Sequence, residues 1–215
     1  STWRLWTPVR ELPRIPAMSL LAALPATVDY LLLAGLLFGT LQAVRFPAQR
    51  WALVITIVSL MGLLAVNQLR WQPWAYQLLL ILVALVGISS RSLQRWLQTL
   101  LISIYCFSGL TKLDLTFAET LGQQILSVLA TPLGIELTQP TTSFRIALAL
   151  LMPLGEIGCG ILLAIPKTRR VGVFAATLLH LALVAVLSPL GLGHSWGVLL
   201  WNLVNIALAW LIFWP

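Results

Sequence analysis

The stretch IALALLMPLGEIGCGILLAI (residues 146–165), followed by PKTRR (166–170) and VGVFAATLLHLALVAVL (171–187), decides the fold class. Two long apolar runs flank one short basic turn. A helix rises about 1.5 Å per residue and the hydrocarbon core of a bilayer is about 30 Å thick, so each run approaches one membrane crossing. Strands are excluded, because an open strand leaves its backbone unpaired in lipid and neither run alternates as a barrel strand does. The turn is short enough to make the two helices antiparallel neighbours.

Outward from this hairpin the same pattern recurs. The expected spans are Val28–Val44, Trp51–Asn67, Ala75–Ser89, Leu97–Leu110, Ile146–Ile165, Val171–Leu187 and Gly197–Phe213. Several are shorter than the roughly 20 residues of a full span, but Trp, Tyr, Gln and Arg at their flanks can extend them into the headgroup layer. Composition agrees: 60% of the 215 residues are hydrophobic, 9% are charged, and mean hydropathy is +0.96. So few charges cannot clothe a water-soluble exterior. The expectation is an all-α, polytopic transmembrane helix bundle of about seven spans, with residues 28–215 as a single domain.

Two segments fall outside this pattern. Residues 1–27 alternate Arg4, Arg10, Glu11 and Arg14 with Trp3, Leu5, Trp6 and Ile15, and carry Pro8, Pro13, Pro16 and Pro25. That is too polar and too broken for a span, and reads as a surface-lying interfacial arm anchored by Trp. Between residues 111 and 145, Phe117, Leu121, Ile125, Val128 and Leu129 recur at helical spacing around Glu119, Gln123 and Gln124. This predicts one interfacial helix over 117–129, ending near Pro132–Gly134, or a loop helix packed on the bundle.

Lys and Arg set the orientation. Arg45, Arg50, Arg91, Arg95, Lys167, Arg169 and Arg170 lie in one set of alternate loops; Arg70, Lys112 and Arg145 lie in the other. The first set, with the Lys167–Arg170 turn as its strongest member, is expected on the cytoplasmic side of a bacterial inner membrane. The arm then lies outside with three arginines, against the rule. The formal charge of +7 belongs to topology and anionic headgroups, not to nucleic acid.

Polar residues inside spans carry the chemical information, because a charge at a helix centre costs about 2.5–3.5 kcal/mol on insertion scales. Glu156 and His180 stand about ten residues on either side of the Pro166–Arg170 turn. Equal spacing places them at similar depth and predicts a Glu156–His180 contact, direct or through one water, as a packing lock or as a proton or ligand contact. A second set of candidates gathers on the expected outer side: Lys112 and Asp114 after span four, Trp71 and Trp74 before span three, and His194 before span seven. Cys106 and Cys159 lie in separate spans with no C-x-x-C pairing, as free apolar thiols. Two histidines without a close carboxylate pair make no metal set, and no phosphate loop, dinucleotide fingerprint or nucleophile elbow occurs.

Three short motifs carry a resemblance. Ser108-Gly109-Leu110-Thr111-Lys112-Leu113-Asp114 is similar to the S/A-G-x-x-K-L-D/N pattern of the HTTM family, the transmembrane domain of vitamin K-dependent γ-glutamyl carboxylases and many bacterial proteins. Arg70-Trp71-Gln72-Pro73-Trp74-Ala75-Tyr76 resembles the aromatic segment before a span in that family. Pro153-Leu154-Gly155-Glu156-Ile157-Gly158-Cys159-Gly160-Ile161-Leu162-Leu163 resembles the E-x-x-x-G-x-L-L signature of DoxX/MauE-like membrane proteins.

The HTTM resemblance implies Lys112 as a catalytic base beside Asp114 in an outward cavity. Here Gln72-Pro73-Trp74 stands where the carboxylases carry a functional His. The DoxX/MauE resemblance implies a small membrane subunit or assembly helper packed against larger integral-membrane partners of a respiratory or electron-transfer complex. That subunit role is the leading expectation. An HTTM-like enzyme using Lys112 is the second, and a quinone- or lipid-binding or transport module built on Glu156 and His180 is the third. No cofactor is expected beyond contact with quinone, lipid or pigment.

Overall fold

A computed structural model of the chain describes residues 3–6, 13–135 and 142–214. Pro8, Arg10 and Glu11 of the arm's alternation therefore lie outside the described residues. Every regular element among those described is helical. The helices are α1 (Trp3–Trp6), α2 (Ala26–Arg45), α3 (Arg50–Val66), α4 (Pro73–Gly87), α5 (Ser90–Leu110), α6 (Leu115–Glu119), α7 (Leu121–Ala130), α8 (Ser143–Ala164), α9 (Arg169–Leu187) and α10 (Trp196–Phe213). Each expected span coincides with a helix. Four helical segments are long and apolar enough to cross a membrane: Ala26–Arg45, Ser143–Ala164, Pro166–Leu187 and Trp196–Phe213. A fifth crossing arises if Ser90–Leu110 and Leu115–Ala130, bent by 70°, count as one; α3 and α4 are apolar but shorter.

Packing divides the chain into two units, Ser1–Leu93 and Gln94–Pro215. The expected boundary after residue 27 has no counterpart in this division, and the reason lies in the first unit. There Trp6 is buried against Trp74, ring centroids 4.9 Å apart, in a core with Leu60, Leu63, Leu64, Ala75 and Leu82. Residues 14–17 join the end of α3: Gln68 N donates to Ile15 O (2.7 Å) and Ala17 N to Ala65 O (2.8 Å). Arg14 and Arg70 both pair with Asp29, which is only 1% exposed; the Arg70 Nη2–Asp29 Oδ1 distance is 2.7 Å. Trp6 and Arg14 thus tie the described part of the arm to its unit, while Met18 and Leu20 stay exposed. A buried carboxylate in the first turn of α2 takes one guanidinium partner from the arm and one from beyond the end of α3.

α2 and α3 approach closely because Gly35 and Gly39 present no side chain. A Cβ at Gly39 would lie 2.9 Å from Thr56 N and 3.0 Å from Ala52 O. On the other face of α2, Leu31, Leu37, Leu41 and Val44 are exposed, as hydrocarbon solvent allows.

In the second unit, α8, α9 and α10 form consecutive hairpins with Leu101, Tyr105, Cys159, Leu163, Val173, Ala176, Ala209, Ile212 and Phe213 in their core. α5 begins earlier than hydropathy alone indicates, at Ser90. Its polar turn has a function there: Gln98 Nε2 donates to Ile212 O at 3.2 Å, satisfying a carbonyl at the end of α10. The helix expected over 117–129 is broken at Thr120 into α6 and α7. Its apolar stripe turns toward protein and not outward, with Phe117 and Ile125 buried against Met152 and Val186. The stop near Pro132 is as expected, with Gly134 in the left-handed region at φ +70°.

Candidate functional site

α5 delivers the first site residues from one helical stripe. Tyr105 and Ser108 face inward near its end, and Lys112 follows Ser108 by one turn. The helix stops there as Lys112 N turns back to Gly109 O (3.0 Å). Gly109 also allows close approach to α8, since a Cβ there would lie 2.6 Å from Pro153 O and from Ile157 Cγ1. That approach brings Lys112 onto Glu156.

The ammonium of Lys112 contacts three acceptors, each at 2.7 Å: Ser108 Oγ, Glu156 Oε1 and Glu156 Oε2. Its side chain is 32% exposed and that of Glu156 only 10%. The ammonium thus meets both oxygens of one carboxylate and one hydroxyl oxygen.

A second network lies on α9 and α10. Asn202 Nδ2 donates to Val198 O at 2.8 Å, which turns Asn202 Oδ1 toward His180 Nδ1 at 2.7 Å. The amide oxygen accepts, so Nδ1 donates, and in the Nδ1–H tautomer Nε2 is an acceptor. Tyr105 OH, 2.8 Å from Nε2, is then the donor. One chain of hydrogen bonds links α5, α9 and α10, with all its members buried.

Both networks border a cavity of about 400 Å³ whose remaining lining is mainly apolar, including Phe117, Ile125, Met152 and Trp201. Its lining comes entirely from residues 104–205, within the second unit. Asn205 joins the wall and donates through Nδ2 to Trp201 O at 3.1 Å. Gly155 lines it too, and a Cβ there would meet nothing within 4 Å.

The sequence candidates therefore separate. Glu156, His180 and Lys112 share this cavity, but of the two expected forms of the Glu156–His180 contact the direct bond is not formed: Glu156 takes Lys112, and His180 takes Tyr105 and Asn202. A cationic partner holds a buried carboxylate better than a neutral imidazole does. Asp114 is exposed and caps α6, accepting from Phe117 N at 2.7 Å, outside the cavity lining. Trp71 and Trp74 belong to the first unit, Trp71 half exposed and Trp74 packed on Trp6. His194 is exposed in the α9–α10 loop, its backbone N closing onto Leu187 O at 2.9 Å.

Tyr105, Ser108 and Asn202 are residues of the site that sequence reasoning did not assign to it. Their signal was present as polar groups in apolar helices, Asn202 and Asn205 sharing one face of α10. Cys106 and Cys159 are both free thiols. Among the described residues no three His, Cys, Asp or Glu side chains cluster as a metal set. Comparison with family models, with curated proteins and with solved structures gives no match to this chain.

Proposed function

We propose that this chain is a polytopic integral-membrane protein whose second unit binds a small amphiphile. The observation behind this reading is the cavity: about 400 Å³, largely apolar, with two buried polar networks on its wall. That is the size and character of a small-molecule site. The experiment isolates the protein in native-membrane nanodiscs and extracts bound molecules for mass spectrometry. The wild type is expected to carry an amphiphile in near-stoichiometric amount. Gly155→Leu points a side chain into open cavity space and is expected to release it while the protein stays folded, because Leu favours helix over Gly by about 0.5–1 kcal/mol. Equal recovery from both proteins overturns the reading.

A second reading, the accessory subunit or assembly helper, is favoured over an enzyme by the state of Lys112. It is held against both Glu156 oxygens and Ser108 Oγ, which suits a packing anchor. Asp114 is likewise occupied as a helix cap. Gentle extraction followed by native gel analysis tests this: migration as a lone chain argues against a larger complex.

For topology we keep seven spans and a cytoplasmic Lys167–Arg170 turn. In support, Arg45, Arg50, Arg91, Arg95, Lys167 and Arg170 are exposed. The cations of the opposite loops are tied into the protein: Arg70 to Asp29, Lys112 to Glu156 and Arg145 to Gln123. Arg14 of the arm is paired as well, which weakens the conflict between the arm and the positive-inside rule.

A further inference from the structure

We infer that the occupant of this cavity is a neutral amphiphile whose polar head is a hydroxyl donor. The inference rests on the amphiphile-binding reading above and adds the chemistry of the head. It follows from the hydrogen-bonding capacity that the two wall networks leave over. The only cation on the wall, Lys112, is matched in charge by Glu156, whose two oxygens it contacts together with Ser108 Oγ. A carboxylate or phosphate head reaching that ammonium would meet the Glu156 carboxylate beside it.

The strongest capacity that remains is for accepting. Each Glu156 oxygen has a single hydrogen bond among its contacts and retains another lone pair. The Tyr105 hydroxyl donates to His180 Nε2 in the Nδ1–H tautomer, and its oxygen keeps lone pairs for accepting. Neutral donors on the wall include the Ser108 hydroxyl and one Asn202 N–H, the other Asn202 N–H being bonded to Val198 O. An ether or ketone head would therefore leave the carboxylate's free lone pairs buried without a partner. A hydroxyl donates to Glu156 or Tyr105 and accepts from Ser108 or Asn202, so one group suits the whole wall. A cationic amine would meet Glu156 only beside the Lys112 ammonium. The apolar lining, with Phe117, Ile125 and Trp201, takes the tail.

The test uses the full chain in lipid nanodiscs and four photoreactive probes sharing one diazirine-bearing alkyl tail. Their heads are a hydroxyl, its methyl ether, a carboxylate and a primary amine. Cross-linked peptides are mapped by mass spectrometry. The hydroxyl probe is expected to label segments 117–129, 179–187 and 198–205 about tenfold more efficiently than each of the others, the discrimination of one well-made hydrogen bond. Labelling by ether, acid or amine equal to the alcohol overturns the head assignment and leaves the cavity reading standing. Labelling of these segments by no probe overturns both.

Glu156→Gln supplies an independent arm by leaving Lys112 without its counter-charge. The acid probe is then expected to overtake the alcohol, and an unchanged order of preference counts against the inference. Should that variant fail to fold, the four-probe order on the unaltered chain decides alone.

Discussion

Lys112 and Glu156 form a chelate, one ammonium 2.7 Å from both carboxylate oxygens, joining the residues just past the end of α5 to the interior of α8. Ser108, one turn before Lys112, completes the contact. This pair closes one wall of the cavity and makes the wall electrically neutral.

Removing either partner leaves the other without its counter-charge. Glu156→Ala and Lys112→Ala are each expected to destabilise by about 2–3 kcal/mol, below the full cost for a dry pair because Lys112 is partly exposed. The double variant is expected to lose much less than the sum. A double-mutant cycle by denaturant unfolding in detergent measures this; strict additivity refutes the pairing.

His180 is expected to couple to Tyr105 and Asn202 more strongly than to Glu156. Tyr105→Phe and Asn202→Ala each remove one bond to the ring, at about 1–2 kcal/mol. Cycles pairing each with His180→Ala should show clear coupling energies. The Glu156/His180 cycle should show the smaller term, and a dominant Glu156/His180 term would mean that these two groups bond directly.

Asp29 answers to two guanidinium groups, those of Arg14 and Arg70. Asp29→Ala strands both and is expected to destabilise the first unit by about 3–5 kcal/mol. Arg70 also donates to Leu5 O (2.7 Å) and Leu63 O (3.1 Å), so Arg70→Met should also loosen the arm. Limited proteolysis near residues 13–17 reads this out; unchanged protection in both variants contradicts the assignment.

Topology is tested by single cysteines on a background lacking Cys106 and Cys159. Lys167→Cys is expected to react with a membrane-impermeant maleimide only in inverted vesicles, and His194→Cys only in intact cells stripped of their outer barrier. The reverse pattern inverts the orientation, and labelling of both from one face removes the span between them.

The positions of the helices were legible in the sequence because lipid selects for long apolar runs, and that selection acts locally. The Pro166–Arg170 turn and the stop at Gly134 could be read for the same reason, since each depends on a few adjacent residues. Glu156 and His180 stood out because a polar group in an apolar run needs a partner. Which partner it finds was not legible. Spacing around one turn gave these two the same depth, yet depth says nothing of rotation about the helix axis. Gly109 lets α5 approach α8 closely enough for Lys112 to take Glu156, which frees His180 for Tyr105 and Asn202. The burial of the arm around Asp29 escaped for a related reason, as its arginines read as solvated until Asp29 is placed between them. Local hydropathy thus determined where helices form; contacts between residues far apart in the chain decided which charges pair, which stripe turns inward, and that a cavity remains.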